Sequence, residues 1–195
     1  MAYFPTDNRL LHDSTVVNVW CKNTKKRRIM RIFAFSFNMF FEMNIEQDLV
    51  LHKKSFHELT TDELYELLRV RSEVFVVEQN CVYQDLDGDD QKSIHLWLTV
   101  ADKIVAMARV CPAGTHMKEI SIGRVITTER GKGYGKQIML HAIEAAIEHF
   151  VAKQIDIEAQ EYAKGFYEGV GFRQSSDTFM LDGIPHIKMT WTKVT

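Results

Sequence analysis

The chain of 195 residues contains 46% hydrophobic and 26% charged residues and carries a formal net charge of −2. These values describe an ordinary globular domain, and the small net charge gives no reason to expect a nucleic-acid or membrane partner. The apolar run at residues 32–41 is far shorter than the roughly 20 residues that cross a bilayer. The sequence therefore predicts one cytoplasmic domain that binds neither nucleic acid nor membrane.

Positive charge is concentrated near the N-terminus. Residues 1–42 hold seven Lys or Arg against three Asp or Glu, a charge of +4, which leaves −6 on residues 43–195. No helical or strand period is sustained before Met43. Residues 1–42 are therefore predicted to be an N-terminal extension outside the fold, and residues 43–195 to be the domain. The favoured explanation for the extension is a misassigned start codon; the alternative is a tail that binds an acidic partner.

Two features could suggest a metal site, and neither fits one. The cysteines Cys21, Cys81 and Cys111 are odd in number and widely spaced, so reduced thiols are predicted rather than zinc ligands. The acidic loop at residues 80–93 resembles a calcium loop only in composition. Counted from Asp85, its glycine falls fourth and Leu96 twelfth, where an EF-hand needs glycine sixth and glutamate twelfth. A solvated acidic loop is the default interpretation, and no metal is predicted.

Hydrophobic periodicity outlines a series of strands and helices. A helix beginning after Thr60 carries a mostly apolar stripe through Phe75, and Gly171 is placed to end a later short helix in a left-handed cap. The predicted helices cover residues 61–75, 135–151 and 163–170. The predicted strands cover residues 49–56, 94–100, 104–110, 119–127, 155–159, 172–176, 179–181 and 187–192. This order predicts an α/β (α+β) fold with a mixed central β-sheet of about six to seven strands flanked by α-helices.

A glycine-rich turn joins the strand at residues 119–127 to the longest helix. It reads Arg130-Gly131-Lys132-Gly133-Tyr134-Gly135-Lys136. Helix-start N–H groups lack intrahelical acceptors and attract anions, and glycine lets a phosphate approach closely, so the turn predicts a pyrophosphate cradle. A P-loop would need Ser or Thr after Lys136, where Gln137 stands, and the G-x-G-x-x-G spacing of dinucleotide-binding folds is absent. A merely structural turn remains the alternative.

The same turn resembles the acetyl-CoA motif (Gln/Arg)-x-x-Gly-x-(Gly/Ala) of the GNAT acetyltransferases. A second segment, residues 166–172, resembles the F-Y-x-x-x-G-F segment of that family. The resemblance implies a GNAT fold with acetyl-CoA as cofactor, and a strand backbone that holds the pantetheine and acetyl carbonyl. The implied cofactor-binding residues are Val125, Ile126, Thr127, Arg130, Gly131, Lys132, Gly133, Tyr134, Gly135 and Lys136.

Further segments between residues 43 and 192 resemble the ElaA group of small bacterial GNAT proteins. They include Ile122-Gly123-Arg124-Val125 and Asp182-Gly183-Ile184-Pro185-His186. The resemblance implies an N-acetyltransferase that moves an acetyl group to an amine of a small molecule or peptide by direct attack in a ternary complex. It also suggests a homodimer through the terminal strands. The alternatives are a non-catalytic acyl-CoA-binding protein of the same fold and an adaptor whose basic arm binds an acidic partner.

Candidate catalytic residues follow from the resemblance and from the chemistry of acetyl transfer. Tyr167 is the predicted acid, because its counterpart in the family faces the cofactor sulfur, and a backbone N–H of the strand at residues 125–127 is the predicted oxyanion donor. Glu119 is the predicted base, with deprotonation through water as the alternative and His95, His116 and His186 as rivals. The predicted substrate-binding residues, expected to favour a cationic amine, are Glu78, Tyr83, Asp85, Asp87 and His95.

Overall fold

The computed structural model describes residues 48–193, so the predicted N-terminal extension lies outside the described residues. The strands are β1 (Val50–Ser55), β2 (Ile94–Val100), β3 (Lys103–Cys111), β4 (Ile120–Thr127), β5 (Gln154–Gln160), β6 (Arg173–Gln174), β7 (Phe179–Leu181) and β8 (Ile184–Thr192). The helices are α1 (Thr61–Arg71), α2 (Tyr134–Phe150) and α3 (Lys164–Glu168). Within residues 48–193, no helix is both long enough and apolar enough to cross a membrane.

The strands form one mixed sheet in the order β1-β2-β3-β4-β5-β8-β6, with β7 paired to β8. Only β4 and β5 run parallel; every other neighbouring pair is antiparallel. The predicted fold class is confirmed, although the sheet has eight strands rather than six to seven. The predicted strands at residues 172–176 and 179–181 correspond to β6 and β7, which are only two and three residues long and both pair with β8.

The two long helices lie on opposite faces of the sheet. Successive side chains of a strand point to opposite faces, so alternate residues enter different cores. Leu96 and Ala106 pack in the core that contains the buried face of α2, whereas Trp97 and Met107 pack with Leu67 of α1. The face that carries α1 is called the α1 face below.

The helix predicted for residues 61–75 changes character after Arg71. Residues Ser72–Glu78 continue as a π-helix, called the π segment below. Gln79 donates its backbone N–H to the carbonyl of Val74, five residues earlier, at 3.1 Å. The wider turn leaves Val74 packed against the α1 core and places Phe75 and Gln79 on the large cleft described in the next section. Such turns often occur at functional sites.

A gap opens between the two parallel strands. β4 and β5 pair only at Ile120 with Ile155 and at Ser121 with Asp156, and then they diverge. A bulge in β4 accompanies the divergence. Gly123 pairs with Arg109 and Ile126 pairs with Met107, so three residue steps along β4 lie opposite two residue steps along β3. The edge of β4 that faces β5 is therefore free of strand pairing beyond Ser121.

The chain ends in a hairpin that borders this gap. Asp182 and Gly183 join β7 to β8 with φ values of 50° and 78°, the left-handed pair of a type I′ turn. The carbonyl of Asp182 lies 3.7 Å from the Cys81 sulfur, so the turn touches the loop that follows the π segment. Cys81 and Cys111 are free thiols, as predicted, and Cys21 lies outside the described residues.

Candidate active site

The start of α2 is open to a ligand. Its N-cap residue is Gly133, which offers no side-chain cap, and no acidic residue lies in the first turn. Gly131 and Gly133 have φ values of 81° and 79°, a conformation that other residues rarely adopt, so both positions need glycine. The first intrahelical bond is donated by Gln137 to the carbonyl of Gly133 at 3.2 Å. The preceding N–H groups of the turn therefore have no acceptor within the helix.

Gly135 is needed for a different reason. A Cβ atom there would lie 3.3 Å from the Thr127 Cγ2 and 3.3 Å from the Phe166 ring. The helix thus starts in close contact with the end of β4 and with α3. Of the predicted cationic groups around the turn, Arg130 pairs with Glu78, Lys132 pairs with Glu129 at 2.7 Å, and Lys136 is exposed.

A cleft of about 360 Å³ passes through the gap between β4 and β5. Its floor is formed by Gly123 and Val125 of β4 together with Glu158 and Gln160 of β5. The π segment and the loop after it form one wall, and the β7–β8 hairpin forms the other. Tyr167 packs against the α2 core and also lines the cleft, so the cleft connects the two faces of the sheet.

Tyr167 is held as a proton donor. Its ring packs edge-on against Phe166 and Phe172, with centroids 5.0 Å and 6.2 Å away. Burial, with a smaller contribution from Tyr162, raises the pKa of Tyr167 to about 12. The phenol is consequently protonated throughout the neutral range and can donate a hydrogen bond inside the cleft.

Three arginines and three aspartates anchor the wall that follows the π segment. Arg71 binds Asp85 and Asp90, each at 2.8 Å, and Arg109 binds Asp87 at 2.6 Å and Asp90 at 2.9 Å. The third arginine, Arg124 at the β4 bulge, donates to the Asp87 carboxylate at 3.0 Å and to the Asp85 carbonyl at 2.9 Å. These six residues, called the charge network below, carry no net charge.

The charge network corrects the prediction of a solvated acidic loop. Asp85 and Asp90 are buried, and their carboxylates are engaged by arginine. Burial alone raises the pKa of Asp87, but hydrogen bonds from Arg109 and the charges of Arg109 and Arg124 outweigh it and hold that pKa well below its usual range. Asp85 and Asp87 are therefore already neutralised and do not present a free negative charge to a cationic amine.

The fold brings only Tyr83 to the cleft among the other predicted substrate and base residues, which are Glu78, Tyr83, His95 and Glu119. Tyr83 lines the cleft and donates to Asp85 at 3.0 Å. Glu78 pairs with Arg130 beside the glycine turn, outside the lining of the cleft. His95 is buried away from the cleft with Nε2 3.0 Å from the Asp90 carbonyl, and burial lowers its pKa. Glu119 precedes β4 and does not line the cleft either.

Two residues of the cleft floor were missed. Glu158 and Gln160 lie on the α1 face of β5, whereas the intervening Ala159 is buried on the other face. The alternation of charged and apolar residues in β5 was a usable signal for this orientation. His116 and His186, named only as rivals for the base, both line the cleft.

A group of possible cation ligands lies partly on the cleft, which Asp87 and His116 line. The ligand atoms of Asp87, Asp89 and His116 lie within 4.8 Å of one another. Asp87 is already bound by Arg109 and Arg124, however, and these positive charges oppose the binding of a cation.

Comparison with known proteins gives one consistent family. Residues 57–193 match the model of the acetyltransferase (GNAT) domain. A UPF0039 protein of Schizosaccharomyces pombe is 42% identical over 140 residues, which are 70% of this chain and 92% of the relative. The protein ElaA of Escherichia coli is 40% identical over 136 residues, covering 68% of this chain and 89% of its own.

Solved structures agree with these relatives. The crystal structure of an acyl-CoA N-acyltransferase from Pseudomonas aeruginosa superposes with a TM-score of 0.70 at 35% identity, covering 74% of this chain and 100% of that one. The crystal structure of Escherichia coli ElaA superposes with a TM-score of 0.69 at 36% identity, covering 74% and 99%.

Proposed function

This chain belongs to the GNAT acetyltransferase family, and on that premise we propose that it transfers the acetyl group of acetyl-CoA to an amine. One observation carries the proposal: the uncapped, glycine-rich start of α2 lies directly after the strand that borders an open cleft. The helix start supplies N–H donors and positive potential for a diphosphate. The cleft supplies room for a thioester and an acceptor.

The residues around the turn suit an extended acyl donor. The diphosphate would be held by the backbone N–H groups of residues 131–136, with Lys136 adding charge. Beyond Ser121, β4 has an edge that no strand occupies, so the backbone of Val125, Ile126 and Thr127 is available to the amide groups of pantetheine. No carboxylate in the first turn of α2 opposes the phosphates.

When bound, acetyl-CoA supplies a thioester whose carbonyl carbon is attacked by the amine, so that a C–N bond forms and the C–S bond breaks. A backbone N–H on the free edge of β4 stabilises the oxyanion. Tyr167 donates a hydrogen bond to the departing sulfur. Because the pKa of Tyr167 is raised to about 12, above the roughly 8.5 of a thiol, the phenol stabilises the thiolate without remaining deprotonated afterwards.

The first experiment titrates the protein with acetyl-CoA by calorimetry, with desulfo-CoA and ATP as controls. Gly133→Val should abolish acetyl-CoA binding, because its φ of 79° disfavours a side chain and the new side chain would occupy the open space proposed for the diphosphate. Gly114→Val is the matched control: Gly114 has a φ of 74° and equally open surroundings, but it lies in the β3–β4 connection. Equal affinity in the two variants would refute the cradle.

The second experiment separates an enzyme from a non-catalytic acyl-CoA-binding protein. Release of free CoA is measured with a thiol reagent in the presence of a panel of primary amines. Tyr167→Phe should lower kcat by about 10²-fold and leave acetyl-CoA affinity unchanged, since positioned acids typically contribute about 10²–10⁴-fold in rate. Binding of acetyl-CoA without amine-dependent CoA release would favour the non-catalytic alternative.

A further inference from the structure

We propose that His186 is the general base that deprotonates the acceptor amine, and that Glu158 holds the ammonium group beside it. The inference rests on the proposed function, because it assigns the proton acceptor of that reaction. It replaces Glu119, which lies outside the cleft.

The tautomer of His186 is fixed by a backbone carbonyl. Its Nδ1 lies 2.8 Å from the backbone carbonyl of Ile184. A carbonyl oxygen can only accept, so the ring proton of the neutral imidazole resides on Nδ1. The lone pair is then on Nε2, the atom that a general base must offer.

The Nε2 of His186 is left without a partner in the described part of the chain. His186 is 8% exposed and lines the cleft. No polar group among residues 48–193 hydrogen-bonds to its Nε2, in contrast to the occupied Nδ1. A ring that is fixed at one nitrogen and unpartnered at the other can accept a hydrogen bond from an incoming donor at Nε2.

Strand pairing places a carboxylate next to His186. Gln160 of β5 pairs with His186 of β8, and Glu158 pairs with Lys188. Glu158 is therefore the diagonal neighbour of His186 on the same face, at roughly 7–8 Å between Cα atoms, a spacing at which long side chains still reach each other. The Glu158 side chain is 24% exposed, and its contacts with Lys188 and His116 are long, at 3.7 Å and 4.0 Å. It is the carboxylate of the cleft floor that no arginine neutralises.

The rival histidines are less well placed. His116 has Nδ1 3.4 Å from Asp89 and Nε2 4.0 Å from Glu158, and both contacts are too long for a hydrogen bond that would fix its tautomer. His95 is buried outside the cleft, and its Nε2 faces the Asp90 carbonyl. Only His186 combines a fixed tautomer with an unpartnered Nε2 among the cleft histidines of the described chain.

The proton balance closes with these groups. The acceptor ammonium gives one proton to Nε2, and the neutral amine forms the C–N bond. As the C–S bond breaks, the second nitrogen-bound proton passes to the departing sulfur, which becomes the thiol of CoA, while Tyr167 keeps its own proton and donates a hydrogen bond. The imidazolium then releases its proton to solvent, so that one proton is produced for each acetyl group transferred.

The test compares two amines that are similar in size but differ in their charge at neutral pH. Benzylamine is cationic at neutral pH and must lose a proton before attack, whereas aniline is already neutral. His186→Gln should lower kcat/KM for benzylamine by about 10²-fold and change that for aniline by less than about threefold. Glu158→Gln should raise KM for benzylamine only. His141→Gln, on the outside of α2, is the control and should change neither.

Several outcomes would overturn the assignment. An equal loss with both amines would show that His186 is only structural, and the selective loss in His116→Gln instead of His186→Gln would move the base to His116. Nitrogen NMR of the CoA-bound protein gives a readout that needs no turnover: a proton on Nε2 of neutral His186 rather than on Nδ1 would refute the proposal. Absence of acetyl-CoA binding in the unmodified protein would refute the proposed function instead.

Discussion

The N-termini of α1 and α2 are built in opposite ways. At α1, the Thr60 hydroxyl accepts from the Glu63 N–H at 3.2 Å, and the Glu63 carboxylate accepts from the Thr60 N–H at 2.9 Å. Lys54 adds two 2.8 Å bonds to that carboxylate. This end satisfies its own N–H donors and supplies its own negative charge.

The start of α2 does neither. Gly133 cannot cap, and the position three residues after the N-cap, which is Glu63 in α1, is Lys136 in α2. The N–H donors and the positive end of the dipole are left for an external anion. A ligand site can therefore be recognised by the backbone N–H groups that a helix start leaves without acceptors. The capped start of α1 shows how the same chain satisfies such groups when no ligand is involved.

Reversing the charge at the open end should give the largest effect. Lys136→Glu places at α2 the carboxylate that α1 has, so acetyl-CoA affinity should fall by about tenfold, or about 1.4 kcal/mol, through repulsion of the diphosphate. The melting temperature should stay the same or rise, because the helix dipole is better compensated. Calorimetry and thermal melting measure the two effects. Lys136→Gln should lose less affinity, and an unchanged affinity in Lys136→Glu would contradict the diphosphate site.

Removing the cap at the closed end should give the converse result. Thr60→Ala should cost about 1 kcal/mol of unfolding free energy, with a fall in melting temperature of about 3 °C, since the N–H of Glu63 loses its acceptor. Acetyl-CoA affinity should stay within about twofold, because α1 does not form the turn. Denaturant unfolding and calorimetry on the same preparation check both. A large loss of affinity with no loss of stability would show that the two helix starts are not independent.

Of the two helix starts, lowering the pH should weaken only the capped N-terminus of α1. The hydrogen bond from Lys54, followed by that from the Thr60 N–H, lowers the pKa of Glu63 in the folded state. A lowered folded pKa means that the stabilisation is present above the unfolded value of about 4.3 and is lost as pH falls through the folded value. The unfolding free energy of the wild type should therefore exceed that of Glu63→Gln at neutral pH, and the two values should become equal below about pH 4. The difference at neutral pH should be smaller than the Thr60→Ala effect. A constant offset between the two curves at every pH would argue against this role.

Local pattern predicted most of the fold. The strand β2 and the bounds of β7 agree with the prediction, and β1, β3, β4, β5 and α2 agree to within one residue at most ends. Gly171 has a φ of 96°, as its predicted role as a left-handed cap requires. The π segment could not be predicted, because the 3.6-residue period continues to Phe75 and only packing on two different surfaces favours the wider turn.

The sequence by itself determined the glycine turn, the helix that follows it and the aromatic segment that carries Tyr167, since each depends on residues close together in the chain. It also placed the N-cap of α1 at Thr60 and Thr61, for the same reason, and the structure uses Thr60. Only the tertiary structure decided the chemistry of the cleft. Arg71, Asp85 and Arg124 meet from three separate segments, and this long-range pairing removed the negative charge that composition assigned to the loop. Strand pairing between β5 and β8 likewise brought Glu158 beside His186, because the register of a sheet joins residues that no local period relates.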